Sequence, residues 1–285
     1  MQTDRLPKEQ TLKDIAVPFR GVVLDIYGVI HDGAALNEPV QEALSRMRAA
    51  GLRVCLLSNS PRRAAAVASS LSEMGLGPDL YHGLITSGEM VHAALGGTVR
   101  TGGVPDGSRY LHVGPPELAG LLDGLALHQV AEAADADFVL ATGDVEEGDL
   151  LLQRAQLMRL PMICANPDLE VIIAGERIRC AGSLAARYEA IGGRVIRFGK
   201  PEPFSYVKAL RVLDLPATQV IAIGDSLATD IFGASRAGIR SALVLTGIHH
   251  AEACSNGEPN LEALAALYER YQAVPDFLLR RLSWS

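Results

Sequence analysis

Four places along the chain put ionisable or small hydrogen-bonding side chains at the end of an apolar run, where a fold can present chemistry. In VVLDIYGVIHDG, Asp25 finishes a strand-like run and Gly28 lets the chain turn at once. An acid closing a buried strand is costly unless positive charge meets it; without that partner it reads as a turn or cap residue. VCLLSNS ends in Ser58-Asn59-Ser60, and Pro61 is expected to open the next helix. Hydroxyl and amide groups beside a helix N-terminus suit an anion, and they suit an ordinary N-cap equally well. FGKPEP sets Lys200 before a rigid Pro-Glu-Pro turn into a helix. VIAIGDSLATDI sets Asp225 after a strand and a glycine, with Asp230 five residues later at the expected start of a helix. Each signal alone has a bland reading. Their order and strand-end contexts together are specific.

The elements that must position them alternate. Apolar, β-branched runs at 21–27, 53–58, 110–113, 138–142, 162–165, 194–198, 219–224 and 241–245 read as strands bounded by turn residues. Between most of them the apolar residues follow a helical period. Val40, Ala43, Leu44 and Met47 stand at i, i+3, i+4 and i+7, and 64–74 and 204–213 are similar. Strand and helix in alternation with short connections predict parallel βαβ units, an α/β fold with a parallel sheet covered on both faces. The Gly-rich stretch 96–107 and the pair Gly192-Gly193 read as hinges. They divide the chain into residues 1–98, 99–191 and 192–285, with the first and last pieces forming one discontinuous domain. A cleft between such domains is a usual ligand site.

Composition narrows the partners. At 285 residues the chain fits one large domain or two modest ones. Its hydrophobic fraction of 48% supports a sizeable core, and its net charge of −7 without a Lys/Arg cluster argues against nucleic acid. No apolar run approaches the ~18–20 residues of a membrane span, and the charged first 19 residues lack the apolar stretch of a signal peptide. Cys55, Cys164, Cys180 and Cys254 are widely spaced with no CxxC pair, so a cytoplasmic location is expected and a disulfide framework is not.

In this order the four motifs resemble those of the haloacid dehalogenase superfamily. More narrowly they are similar to subfamily IIA, the branch containing 4-nitrophenylphosphatase-like and nucleotide or sugar phosphatases. The resemblance runs from about Arg20 to Gly247. It includes Gly33, Ile85-Thr86-Ser87-Gly88, Asn166-Pro167-Asp168, Gly182 and Val244-Leu245-Thr246-Gly247. It implies a Rossmann-like core with an inserted α/β cap over the carboxyl ends of the strands, an edge that binds ligands in open α/β sheets generally. It implies further that Asp25 is the nucleophile and forms an aspartyl-phosphate. Ser58, with Asn59 beside it, would hold the phosphoryl group, and Lys200 would neutralise both. Asp225 would bind Mg²⁺ with Asp25 and the backbone carbonyl of Tyr27, and Asp230 would steady this loop and Lys200. The expected partner is a small phosphorylated molecule, and a cap of this kind often forms a homodimer. The residue types suit the chemistry, because a phosphate dianion repels a carboxylate unless cationic charge stands close by.

Position 27 departs from the phosphatase pattern, which places a second Asp there to protonate the leaving group and then activate water. A phenol of pKa about 10 makes a poor general base at neutral pH. Substrates would then narrow toward aryl or acyl phosphates, whose leaving groups need little protonation. A Tyr here is also similar to the dehalogenases, which attack carbon without Mg²⁺, although those generally lack the pair present as Gly224-Asp225. A slow or non-catalytic phospholigand-binding protein is a further alternative. His31 and Asp32 could face the cleft, and His31 could supply the missing proton. Asn166 and Asp168 are candidates for the non-phosphate part of the substrate. His249-His250 reads as a loop.

Overall fold

The central strand β1, Gly21–Leu24, is buried at all four positions because parallel neighbours hydrogen-bond both its edges and helices cover both its faces. The computed structural model describes residues 7, 9–97, 107–146, 148–173 and 175–285. On one side of β1 lie β2 (Arg53–Ser58) and β3 (Gly83–Thr86). The inserted strands come next in the chain: β4 (Arg109–Val113), β5 (His128–Val130), β6 (Phe138–Ala141), β7 (Met162–Cys164), β8 (Glu170–Ile173), β9 (Glu176–Arg179) and β10 (Val195–Arg197). The chain then returns to the other side of β1 with β11 (Val220–Gly224), β12 (Arg240–Val244) and the last strand Phe277–Leu279. All five pairings in this six-stranded sheet are parallel. The strand order therefore reverses between β1 and β11, the switch point at which open α/β sheets bind ligands.

The inserted strands form their own parallel sheet in the order β10-β7-β6-β4-β5, with β8 and β9 as a separate antiparallel hairpin. Burial there alternates with the pleat. Tyr110, Phe138, Leu140 and Ile163 turn into a cluster shared with Met90 and Val91 of helix Ser87–Leu95, while Leu111, Val139, Met162 and Cys164 pack on helices Gly148–Leu157 and Ala181–Ala190. The strand at 194–198 joins the inserted sheet. The segment 192–198, assigned to the second half of the discontinuous domain, contains β10, which pairs with β7. The chain therefore crosses back after Arg197 rather than at Gly192. The other expected hinge, 96–107, lies largely outside the described residues.

Local patterns form the elements expected of them. Helix Val40–Ala49 buries Val40, Ala43, Leu44 and Met47, the four positions of its apolar stripe. Helices Ala64–Glu73 and Pro203–Leu213 appear where the period placed them, the latter with Pro at its first turn. Pro61, however, does not open a helix. The helix begins at Ala64, and the carboxylate of Glu89 accepts from the Ala64 N–H at 3.2 Å. That helix N-terminus is thus closed by an acid of the chain's own.

Candidate active site

The carboxyl ends of β1, β2 and β11 deliver the three strand-end motifs to one place. Asp25 follows β1 and is anchored by its N–H to the Ile223 carbonyl at 2.9 Å. Asp225 follows β11, and its Oδ2 accepts from the Ile248 N–H at 2.7 Å. Gly28, at φ +78°, and Gly247 allow this approach, since a Cβ on either would stand 2.3 Å and 1.7 Å from Asp225 Oδ2. Asp230 sits in a π-helical turn, Leu227–Ile231, whose start is capped by Ser226, and its Oδ2 accepts from the Ser226 N–H at 3.2 Å. The carboxylate oxygens of Asp25, Asp225 and Asp230 lie within 4.8 Å of one another, all buried.

Lys200 enters from the returning chain. Its Nζ donates to Asp25 Oδ1 at 2.5 Å and to Asp230 Oδ1 at 2.8 Å. Burial alone would lower the ammonium's pKa, but Asp230 and Asp25 more than offset it and hold it well above the ordinary lysine value. One cation does not neutralise three acids. Burial raises the Asp25 carboxyl against the pull of Lys200, and burial with the charges of Asp25 and Asp230 drives Asp225 well above its ordinary value. Asp230 is pushed up to about 7 by burial, with Lys200 opposing. A cluster so short of positive charge suits a divalent cation with oxygen ligands.

Asn59 does something the sequence did not suggest. Its Oδ1 accepts from the Lys200 N–H at 2.7 Å, and its Nδ2 donates to the Lys200 carbonyl at 3.0 Å. Nδ2 also donates to Asp168 Oδ1 at 2.8 Å, so both amide protons are engaged by the protein. Asn59 therefore clamps the peptide that carries Lys200. Ser58 is 2% exposed, and its Oγ accepts from the Ser60 N–H at 3.1 Å, an ST-turn that leaves the hydroxyl proton to donate.

These residues line a cavity of about 830 Å³ between the two sheets. Asp25, Ser58, Lys200, Asp225 and Asp230 line it, as do Asn166 and Asp168 of the inserted segment. The β8–β9 hairpin supplies an apolar wall of Val171, Ile172, Ile173 and Ile178. Tyr27 also lines it, and burial raises the phenol above its ordinary value. His31 does not. It lies edge-on to the Tyr27 ring at 4.3 Å, its Nδ1 accepts from the Gly33 N–H, and burial lowers its pKa. Asp32 is exposed, and its Oδ1 accepts from the N–H groups of Ala34 and Ala35. His249, read as part of a loop, precedes helix His250–Ala253 and is buried, its Nε2 accepting from the Leu227 N–H at 3.1 Å. The four cysteines are free, and burial lifts the thiols of Cys55, Cys164 and Cys180 to about 12, outside useful reactivity. Among the described residues no helix is long and apolar enough to cross a membrane.

Comparison with known proteins agrees with this arrangement. Residues 22–127 match the family described as haloacid dehalogenase-like hydrolase, and residues 197–270 one described as HAD-hydrolase-like. A haloacid dehalogenase-like hydrolase from Brucella suis is similar at 30% identity and a TM-score of 0.81, over 98% of this chain and 100% of its own. A 4-nitrophenylphosphatase of Thermotoga maritima is similar at 26% identity and a TM-score of 0.71, over 94% and 96%. The glycerol phosphate phosphatase of Mycobacterium tuberculosis in complex with magnesium is similar at 25% identity and a TM-score of 0.69, over 96% and 78%.

Proposed function

Because the chain belongs to the haloacid dehalogenase-like hydrolases, in subfamily IIA, we propose that it is a magnesium-dependent phosphatase of a small phosphorylated molecule, with Asp25 as nucleophile. The observation that carries this reading is Lys200 Nζ held between Asp25 and Asp230, with Asp225 beside both, at the β1/β11 switch point. An Asp25 oxygen attacks phosphorus, the bond to the leaving oxygen breaks, and water then cleaves the aspartyl-phosphate. Lys200 holds the nucleophile and cancels charge on the phosphoryl oxygens, and the Ser58 hydroxyl donates to one of them. The Asn59 side chain acts through Lys200 rather than on the phosphate. Asp25, Asp225 and the Tyr27 carbonyl would hold Mg²⁺, with Asp230 adjoining. Bound there, the ion would neutralise charge on the nucleophile and the phosphoryl group.

In this reading the segment from 99 to about 197 is a cap closing the cavity over the core, and its apolar hairpin meets the leaving group. Tyr27 is a poor general base at neutral pH, so the acid–base chemistry of this site differs from that of a second Asp. The test is phosphate release from p-nitrophenyl phosphate and a panel of phosphorylated metabolites. Release should require Mg²⁺, stop with EDTA and fall to background in Asp25→Asn. Turnover of 2-haloacids that survived EDTA and Asp225→Asn would instead establish carbon–halogen cleavage. Ligand binding without turnover would establish a sensor.

A further inference from the structure

The turn Asn166-Pro167-Asp168 and Gly182 have no part in the steps at phosphorus. Their place in the fold is against Lys200. Gly199, the residue before it, has φ +124°, and a Cβ there would collide with Ser87 Oγ and Asn59 Oδ1 of the core and press on Pro167 Cδ at 3.1 Å. Only glycine fits so close an approach of the Lys200 strand end to the inserted turn. Gly182 backs the turn from its other side. A Cβ there would collide with the Pro167 and Asp168 carbonyl oxygens, and its N–H donates to the Asp168 carbonyl at 3.1 Å. Within the turn, the Asp168 N–H donates to Asn166 Oδ1 at 3.2 Å. The Asp168 side chain is thus held toward the core. Its Oδ1 accepts from Asn59 Nδ2 at 2.8 Å, and its carboxylate also accepts from the side chain of Thr229, the neighbour of Asp230.

Asn59 is 3% exposed, so each of its polar atoms needs a partner within the protein. Oδ1 accepts from the Lys200 N–H at 2.7 Å, and Nδ2 donates one proton to the Lys200 carbonyl at 3.0 Å. The second Nδ2 proton goes to Asp168. Without that acceptor a buried N–H is left unpaired, at a cost that favours turning the amide toward water in the cavity. Turning it breaks both bonds to the Lys200 peptide. Resting on the phosphatase reading, we propose that Asp168 is a positioning residue. Through Asn59 it fixes the peptide of Lys200, and so makes the placing of Nζ between Asp25 and Asp230 depend on the seating of the inserted segment. The core alone supplies the lysine; the inserted segment holds it in register.

Wild type, Asp168→Ala and Asp168→Asn are compared with p-nitrophenyl phosphate in Mg²⁺, alone and in a Lys200→Met background, with urea midpoints to establish that each is folded. Asp168→Ala should lower kcat about 10²-fold, the cost of a misplaced group. KM should stay within about threefold, since the lost interaction is one made in the transition state. Asparagine at 168 still offers an oxygen to Asn59 and should recover at least about tenfold of the loss. In the Lys200→Met background Asp168→Ala should cost less than about threefold more, because both act along one path. Independently of turnover, the Lys200 amide hydrogen should exchange at least about tenfold faster in Asp168→Ala than in wild type or Asp168→Asn, read by nuclear magnetic resonance. If Asp168→Ala does not fold, Asp168→Ser, too short to reach Asn59, takes its place. An equal loss of kcat with and without Lys200, or an unchanged Lys200 exchange rate, would overturn the proposal. A wild type inert toward every phosphate ester would remove the phosphatase reading, while faster Lys200 exchange in Asp168→Ala would still establish the tie through Asn59.

Discussion

Lys200 is the cation set between the buried carboxylates of Asp25 and Asp230. Its side chain is 4% exposed and touches two carboxylates that are themselves buried. Removing one member of such a set is far worse than never having buried it, because the others remain desolvated and uncompensated. Lys200→Met should therefore lose on the order of 3 kcal/mol of stability, read from urea midpoints, and about 10²- to 10³-fold in kcat for want of charge on the transferring group. Added Mg²⁺ should restore part of the lost stability, since a second cation relieves the same repulsion. A Lys200→Met protein as stable as wild type, with or without Mg²⁺, would mean that the carboxyls are protonated at rest and that the cluster needs no cation. Asp225 raises the same question from its own side, pushed up by burial and by two like charges.

Elements differ in how openly the sequence declares them, and burial explains why. β1, β2 and β11 were legible because a strand buried on both faces is an unbroken apolar run, so an Asp or Ser at its end stands out. The β8–β9 hairpin was not, because β8 is half-buried at every position and β9 exposed at every position, leaving no alternation to read. Its aliphatic residues face the cavity instead of a core. The Asn59–Asp168 bond spans 109 residues, and no local pattern encodes it. Helix His250–Ala253 holds a similar surprise in its cap residue. His249 ties this element to the turn bearing Asp230, and burial lowers its pKa to about 4 from 6.5. Between those values the unfolded chain binds the proton and the folded one does not, so stability falls as pH falls from 6.5 toward 4. At about 1.4 kcal/mol per unit the loss is on the order of 3 kcal/mol. Urea midpoints at pH 7 and pH 4.5 should drop less in His249→Gln than in wild type. An equal drop would assign the acid sensitivity elsewhere, to His31 and His112 among the groups that burial also shifts downward.

At the scale of the whole molecule, the two sheets are joined by packing as well as by the active site. One continuous apolar cluster contains Val23, Cys55 and Leu57 of the first sheet and Tyr110, Phe138 and Ile163 of the second. Phe138 is 1% exposed and stacks on Tyr110 with ring centroids 5.7 Å apart. If this cluster couples the layers, damage in the inserted sheet must be felt at the far end of the core. The chain offers a reporter for that end, because its single tryptophan, Trp284, packs against a second core cluster, and its backbone carbonyl accepts from the Lys13 N–H at 3.1 Å. Phe138→Ala should cost about 3–5 kcal/mol through the cavity it leaves. Trp284 fluorescence and far-ultraviolet circular dichroism should shift together, as in one cooperative transition. Two separate dichroism transitions, with the Trp284 midpoint unmoved, would show that the inserted segment unfolds on its own. Coincident shifts would mean instead that the inserted sheet and the core unfold as one cooperative unit, so that every group the inserted segment brings to the cavity is held there by the full stability of the fold.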